Sequence, residues 1–305
     1  MEPRKNMENV MKHFNKAIFA AAVLLMTAPA AAQNDSSAEN QYDRARGELS
    51  PGTTAPSQAR LMQVIESGSP ERLATLLEYG ELVQCHACVP LLERRLLEDN
   101  NALVREMSAW WLRRRPFGFA AVFHDIRTAL ATDADPVRRA RAAEALGEFM
   151  DPHGVTYLRE AINNDTDARV RAAAVAGLGR INSPAGNEGI VEAFSDSDAT
   201  VREAAVGQVL YVNLFRDHDA LMGLLADENV DVRRRAALAL GTFRVTEASP
   251  ALVGMLSDAA PMARQAAAWA LGRIGGGEAR AALTAQQSVE DTSYVRDAID
   301  IALRM

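Results

Sequence analysis

Four stretches of this chain can be written one beneath another with almost no adjustment: "DADPVRRARAAEALG" (133–147), "DTDARVRAAAVAGLG" (165–179), "DENVDVRRRAALALG" (227–241) and "DAAPMARQAAAWALG" (258–272). Each opens on an acid, and an arginine follows six residues later. Weaker copies extend the pattern to eight pairs: Glu66/Arg72, Asp99/Arg105, Asp133/Arg139, Asp165/Arg171, Asp196/Arg202, Asp227/Arg233, Asp258/Arg264 and Glu290/Arg296. Successive openings lie 31 to 34 residues apart, a period that marks a repeat array. A unit this short cannot bury its own apolar face, so each must stack on its neighbours.

Every block carries the start signal of a helix. Two residues after the opening acid stand Asn101, Asp135, Asp167, Asp198, Asn229 and Thr292, side chains suited to accept from the first free amides. Pro136 and Pro261 occupy the next position, where a missing N–H is harmless. Val170, Ala174 and Leu178, or Val232, Ala236 and Leu240, then fall on one face at four-residue steps. Gly80, Gly147, Gly179, Gly241 and Gly272 are expected to cap the helices at their C-termini. A shorter apolar helix precedes each block (91–98, 122–131, 220–225, 251–256), so the unit is a two-helix hairpin. The pairs from Asp99/Arg105 to Glu290/Arg296 sit near the inter-helix turns. There a carboxylate accepts from arginine and from turn amides, within its own unit or from the next. A structural ladder is the expected role, with a ligand site as the alternative.

These blocks resemble the HEAT repeat, in particular the short type first named for phycobilin lyases, with its D-x-x-x-x-V-R-x-x-A-x-x-A-L-G pattern. The resemblance spans about residues 56–305. It is weakest in the second unit, where Arg113 replaces the closing glycine, and in the fifth, which drifts after Arg202. In the third, Val137 comes one place early and Arg138 takes the usual valine position. It implies an all-α fold, a right-handed α-α superhelix of about eight helical hairpins with the second helices lining an inner surface. A scaffolding or partner-binding role usually goes with it, but fold alone does not specify chemistry.

The first residues bear on compartment. Lys12 and Lys16 precede an apolar run, "AIFAAAVLLM" (17–26), and "TAPAAAQ" supplies small residues Ala30 and Ala32 before Gln33. That order matches a secretory signal over residues 1–32, with Met11 as an alternative start and a retained anchor as a lesser reading. A polar, flexible tail over 33–56 follows, and the solenoid occupies 57–305. Cleavage removes Arg4, Lys5, Lys12, Lys16, Glu2 and Glu8, leaving a net charge of −9 against −7 for the whole chain. An exported acidic protein, in the periplasm or outside the cell, is a poor candidate for nucleic acid. No later apolar run is long enough to insert in a membrane.

The resemblance also brings enzymes into view. Di-iron deoxyhypusine hydroxylases carry His-Glu pairs on repeated helices; here His86, His124, His153 and His218 precede Ala, Asp, Gly and Asp and lie outside the second helices. HEAT-like alkylpurine glycosylases need a basic groove. No nucleophile elbow, P-loop or zincin motif is present, so the expectation is a non-enzyme without cofactor.

"VQCHACVP" (83–90) holds the two cysteines. Covalent haem requires histidine where Val89 stands. Cys85, His86 and Cys88 supply at most three soft ligands, too few for structural zinc but tolerable for copper(I). Thioredoxin-type chemistry favours a cysteine at a helix N-terminus, whereas a helix opening at Pro90 leaves both before it. A structural Cys85–Cys88 disulfide outside the cytoplasm is the expected reading. A redox or copper(I)-handling accessory is the functional alternative.

With the Val–Ala–Leu stripe as core, residues seven and eleven after each opening acid point away from it. They are Glu106/Trp110, Ala140/Glu144, Ala172/Ala176, Glu203/Gly207, Arg234/Leu238 and Gln265/Trp269. Tryptophan beside arginine on an exposed face suits an interface anchor, although tryptophans more often fill space. "WWLRRRPFGF" (110–119) adds Arg113 and Arg114 at a helix C-terminus, where cations are favoured and a carboxylate of a partner can be seated. The expected function is a non-enzymatic scaffold or adaptor that binds another protein. The surface would comprise Glu106, Trp110, Arg113, Arg114, Glu144, Glu203, Arg234, Gln265 and Trp269.

Overall fold

The computed structural model describes residues 56–305 except Pro116 and Leu214. The expected signal segment and nearly all of the polar tail lie outside the described residues. Sixteen α-helices form eight consecutive hairpins, with no strand among the described residues. The first four are α1 (Gln58–Ser67) with α2 (Pro70–Tyr79), α3 (Cys88–Glu98) with α4 (Ala102–Leu112), α5 (Phe119–Thr132) with α6 (Pro136–Phe149), and α7 (Gly154–Asn164) with α8 (Ala168–Ile181). The last four are α9 (Pro184–Glu192) with α10 (Ala199–Gln208), α11 (His218–Gly223) with α12 (Val230–Phe243), α13 (Ser249–Met255) with α14 (Pro261–Ile274), and α15 (Gly277–Gln287) with α16 (Ser293–Ala302). Each second helix packs on the second helix of the next hairpin. The result is an α-solenoid with one continuous core.

In five of the hairpins two side chains satisfy the amides of the turn. Asp165 accepts the N–H of Asp167 at 2.9 Å, and Asp167 accepts the N–H of Arg169 at 2.9 Å. The same relay recurs through Asp99/Asn101, Asp133/Asp135, Asp196/Asp198 and Asp227/Asn229. Thr292 departs from expectation: it caps no amide with its side chain. Its hydroxyl donates to Asp291 and accepts from Arg264 instead. The predicted core stripe is fully buried, from Val170, Ala174 and Leu178 to Val232, Ala236 and Leu240.

Four of the five supposed capping glycines are not caps. Gly80 ends α2, but Gly147, Gly179, Gly241 and Gly272 lie within helices that run two residues further. The left-handed terminal positions belong to Met150, Asn182 and Arg244. The glycines serve packing. A Cβ on Gly147 would stand 2.6 Å from Gly177 Cα, one on Gly241 2.7 Å from Ala270 Cα, and one on Gly272 2.7 Å from Ala302 Cα. They let the backbones of successive second helices touch.

The acid–arginine pairs do not close on themselves. In five successive hairpins Nη1 of the arginine donates to the backbone carbonyl of its own opening acid, while Nε and Nη2 grip the carboxylate of the next. Arg139 holds Asp165, Arg171 holds Asp196, Arg202 holds Asp227, Arg233 holds Asp258 and Arg264 holds Glu290, all at 2.7–3.0 Å. Burial pushes Asp165, Asp196, Asp227 and Asp258 upward, but the arginine fork and the turn amide outweigh it and hold each below its usual value. The Arg264 fork brings Glu290 down to about 2.

The ladder is irregular at its ends. Arg138, in the usual valine place, takes Asp133 at 2.8 Å and reaches Glu98. Arg105 accordingly keeps its own turn carbonyl but directs its fork to Glu144. Glu66 lies inside α1, whose C-cap is Gly68, so the first hairpin lacks a turn acid. Arg296, in the last hairpin, holds the Glu290 carbonyl at 2.8 Å.

Candidate protein-binding surface

The residues seven and eleven places after each turn acid lie along the second helices, but Trp110, Ala140, Ala172, Leu238 and Trp269 pack against the core instead of pointing away from it as expected. Glu106, Trp110, Glu203, Arg234 and Trp269 are half-buried, and Glu144 and Gln265 are exposed. Several of the charged members are already engaged. Glu144 pairs with Arg105 at 2.9 Å, Glu203 with Arg235 at 2.8 Å, and Arg234 with Asp231 at 3.3 Å. The first two pairs tie neighbouring second helices together, so these carboxylates contribute to the stack as well as to the surface.

Two tryptophan–arginine pairs stand out from that background. The Arg114 guanidinium lies 4.3 Å from the Trp110 ring centroid, and its Nε is 3.3 Å from a Glu81 carboxylate oxygen. Arg273 lies 5.8 Å from Trp269. A cation over an indole face is held by the ring quadrupole, and both indoles are partly buried. The two platforms are in the second and seventh hairpins, so the structure does not gather them into one site. Trp111, by contrast, is fully buried and fills the core. Arg113 bonds the Glu148 carbonyl at 2.7 Å, and burial together with the nearby Arg114 lowers its proton affinity. Arg115, left out of the expected surface, is buried against Trp111 at 3.7 Å. Only its place four residues after Trp111 hinted at that stack.

The cysteines form a disulfide with an S–S distance of 2.08 Å, and both residues are buried. Cys88 is the first residue of α3, which corrects the expectation of a helix opening at Pro90. The exposed His86 ring turns to Phe117, 3.9 Å between centroids. A buried disulfide offers no thiolate to a metal. Among the described residues no group of three or more His, Cys, Asp or Glu side chains is placed to hold a metal ion. A cleft of about 340 Å³ opens between α5 and α7. Most of its charged groups are engaged by neighbours: Arg127 bonds Tyr157 and His124, Arg139 holds Asp165, and Asp133 pairs with Arg138.

The model of the HEAT repeats matches residues 89–179, 123–209 and 219–304, well over half of the chain. The chain belongs to the HEAT repeat family. Among solved structures, YibA of E. coli is similar with 18% identity and a TM-score of 0.53, over 92% of this HEAT chain and 99% of that one. Kap95p, from a complex with RanGDP, is 14% identical with a TM-score of 0.61, over 82% of this chain and 40% of its own length. The CpcE–CpcF complex of phycocyanin lyase from Nostoc is 20% identical over 71% of this chain and 93% of that one. Its TM-score of 0.38 carries no argument. At these identities the likeness concerns the fold. No curated protein matches the sequence.

Proposed function

We propose that this HEAT solenoid is an exported, non-enzymatic scaffold that binds another protein along its second helices. The observation that carries the reading is the repeated tryptophan–arginine platform, Trp110 with Arg114 and Trp269 with Arg273, at one register in two distant hairpins. Aromatic and arginine side chains of this kind supply most of the binding energy in protein interfaces, and a solenoid offers an extended surface between them. Kap95p, similar in fold, is a protein that binds RanGDP. The apolar segment over 17–26 and the buried disulfide support an extracytoplasmic site of action.

The test is affinity capture from the native cell envelope with the full chain, alongside Trp110→Ala, Arg114→Ala and Trp269→Ala variants shown to be folded by circular dichroism. A defined protein retained by the parent and lost by the variants is the expected result. Capture unchanged by all three removes this surface from the reading. Export is checked separately by sequencing the mature N-terminus, expected at Gln33.

A further inference from the structure

The cleft between α5 and α7 is built mainly from first helices, and its volume of about 340 Å³ falls in the range of small-molecule sites. Leu130 and Ala161, both buried, give it an apolar floor. Both helices end at it, on Thr132 and Asn164. Of the five charged residues that line it, Arg139 and Asp165 hold each other and Asp133 is held by Arg138. The other two are Arg127 and Glu160, of opposite charge and with no ion-pair partner among the described residues.

These two charges make distinct poles. Arg127, half-buried, donates through Nη1 to the Tyr157 hydroxyl, and its Nη2 lies 2.8 Å from His124 Nδ1. Neither partner is a carboxylate, so the guanidinium keeps its charge unneutralised and most of its N–H groups uncommitted. The Tyr157 hydroxyl, an acceptor toward Arg127, retains its own hydrogen to donate. Guanidinium and phenol together form a donor pair, the chemistry that receives a carboxylate.

Glu160 and Asn164 follow Tyr157 on one face of α7, with Glu160 about 4.5 Å further along the axis. Both are exposed, and among the described residues their side chains make no hydrogen bond. A carboxylate and an amide oxygen beside the C-termini of two helices, where cations are favoured, form an acceptor pole for an ammonium group. The described residues include no lysine, so they have no side-chain ammonium of their own to place there.

We propose that this cleft binds a small zwitterion of the amino-acid class. Its carboxylate rests on Arg127 and Tyr157, its ammonium on Glu160 and Asn164, and its carbon skeleton on the apolar floor. The proposal is independent of the scaffold reading, which concerns the second helices. Side chains that merely face water carry no requirement for both charges in one molecule.

The probes are glycine, β-alanine, γ-aminobutyrate, δ-aminovalerate and L-leucine. Each is compared with its carboxamide, which lacks the anion, and its N-acetyl form, which lacks the cation. Binding to the full chain is measured by isothermal titration calorimetry. At least one zwitterion should bind about ten-fold or more tightly than either capped form, with a dissociation constant of about 1 mM or below. Glu160→Gln should bring that zwitterion down to the affinity of its N-acetyl form, and Arg127→Gln to that of its carboxamide. Glu160 is exposed and unpaired, so its variant keeps the fold and carries the test if Arg127→Gln does not fold. No binding of any zwitterion, equal binding of a capped form, or an affinity untouched by Glu160→Gln overturns the proposal.

Discussion

Each ladder arginine reads two hairpins at once. Arg202 gives Nη1 to the Asp196 carbonyl at 2.8 Å and its fork to Asp227, with both side chains under a tenth exposed. Such a pair is not a surface ion pair: the partners lie out of water and most of their hydrogen-bonding atoms are used. Asp227→Asn should therefore lower stability in urea by about 3 kcal/mol, because it leaves a buried guanidinium facing a neutral amide. Exposed Arg169, paired with Asp167, should lose under about 1 kcal/mol when changed to alanine. The glycines allow a second contrast. Gly147→Ala places a Cβ 2.6 Å from the Gly177 backbone, and the overpacking should cost about 1–3 kcal/mol. Gly254, inside α13, meets nothing within 4 Å, so Gly254→Ala should stabilise by about 0.5–1 kcal/mol. Paired denaturation curves check both signs.

At the scale of the hairpin, the turn chemistry was legible in the sequence, because an acid and an Asx residue two places on can satisfy consecutive amides without outside help. The closing glycines were misread for a related reason: a glycine near a helix end looks the same whether it supplies a left-handed cap or admits a neighbouring helix, and only Gly177, Ala270 and Ala302 across the interface distinguish the two. The direction of the ladder was likewise invisible, since periodic spacing pairs Asp165 with Arg171 while geometry joins Asp165 to Arg139. Of the candidate surface, the register of Trp110 and Trp269 could be read from helical periodicity, but the engagement of Glu144 and Glu203 by arginines of adjacent hairpins could not. The Cys85–Cys88 bridge spans only the turn into α3. A loop that short constrains little of the unfolded chain. Cys85→Ser with Cys88→Ser should fold, lose about 2 kcal/mol, and show faster hydrogen exchange confined to residues 80–90. Global loosening would mean that the bridge supports more than its own turn.

Across the array, uniform positions change character in the eighth hairpin. Ten residues after the turn acid, Ala143, Val175, Val206, Ala237 and Ala268 are all buried; the last hairpin has Asp300, half-buried, in that place. Where Gly147, Gly179, Gly241 and Gly272 admit a neighbour, it has Arg304. Within the array, cohesion depends on carboxylates staying ionised, which sets its response to acid. Glu290 titrates at about 2 in the folded protein against an ordinary 4.5, and Asp165, Asp196, Asp227 and Asp258 are also held below 3.8. A folded-state pKa below the unfolded one adds stability that is complete above the unfolded value and is lost as pH falls through the folded one. The urea midpoint should accordingly fall between pH 4.5 and about 2. Glu290→Gln should start from a lower midpoint and fall less steeply over that range, since it has one fewer proton to take up. An identical slope in the variant would show that the Arg264–Glu290 rung does not contribute to acid sensitivity, and that the charge linkage between the last two hairpins is weaker than its geometry requires.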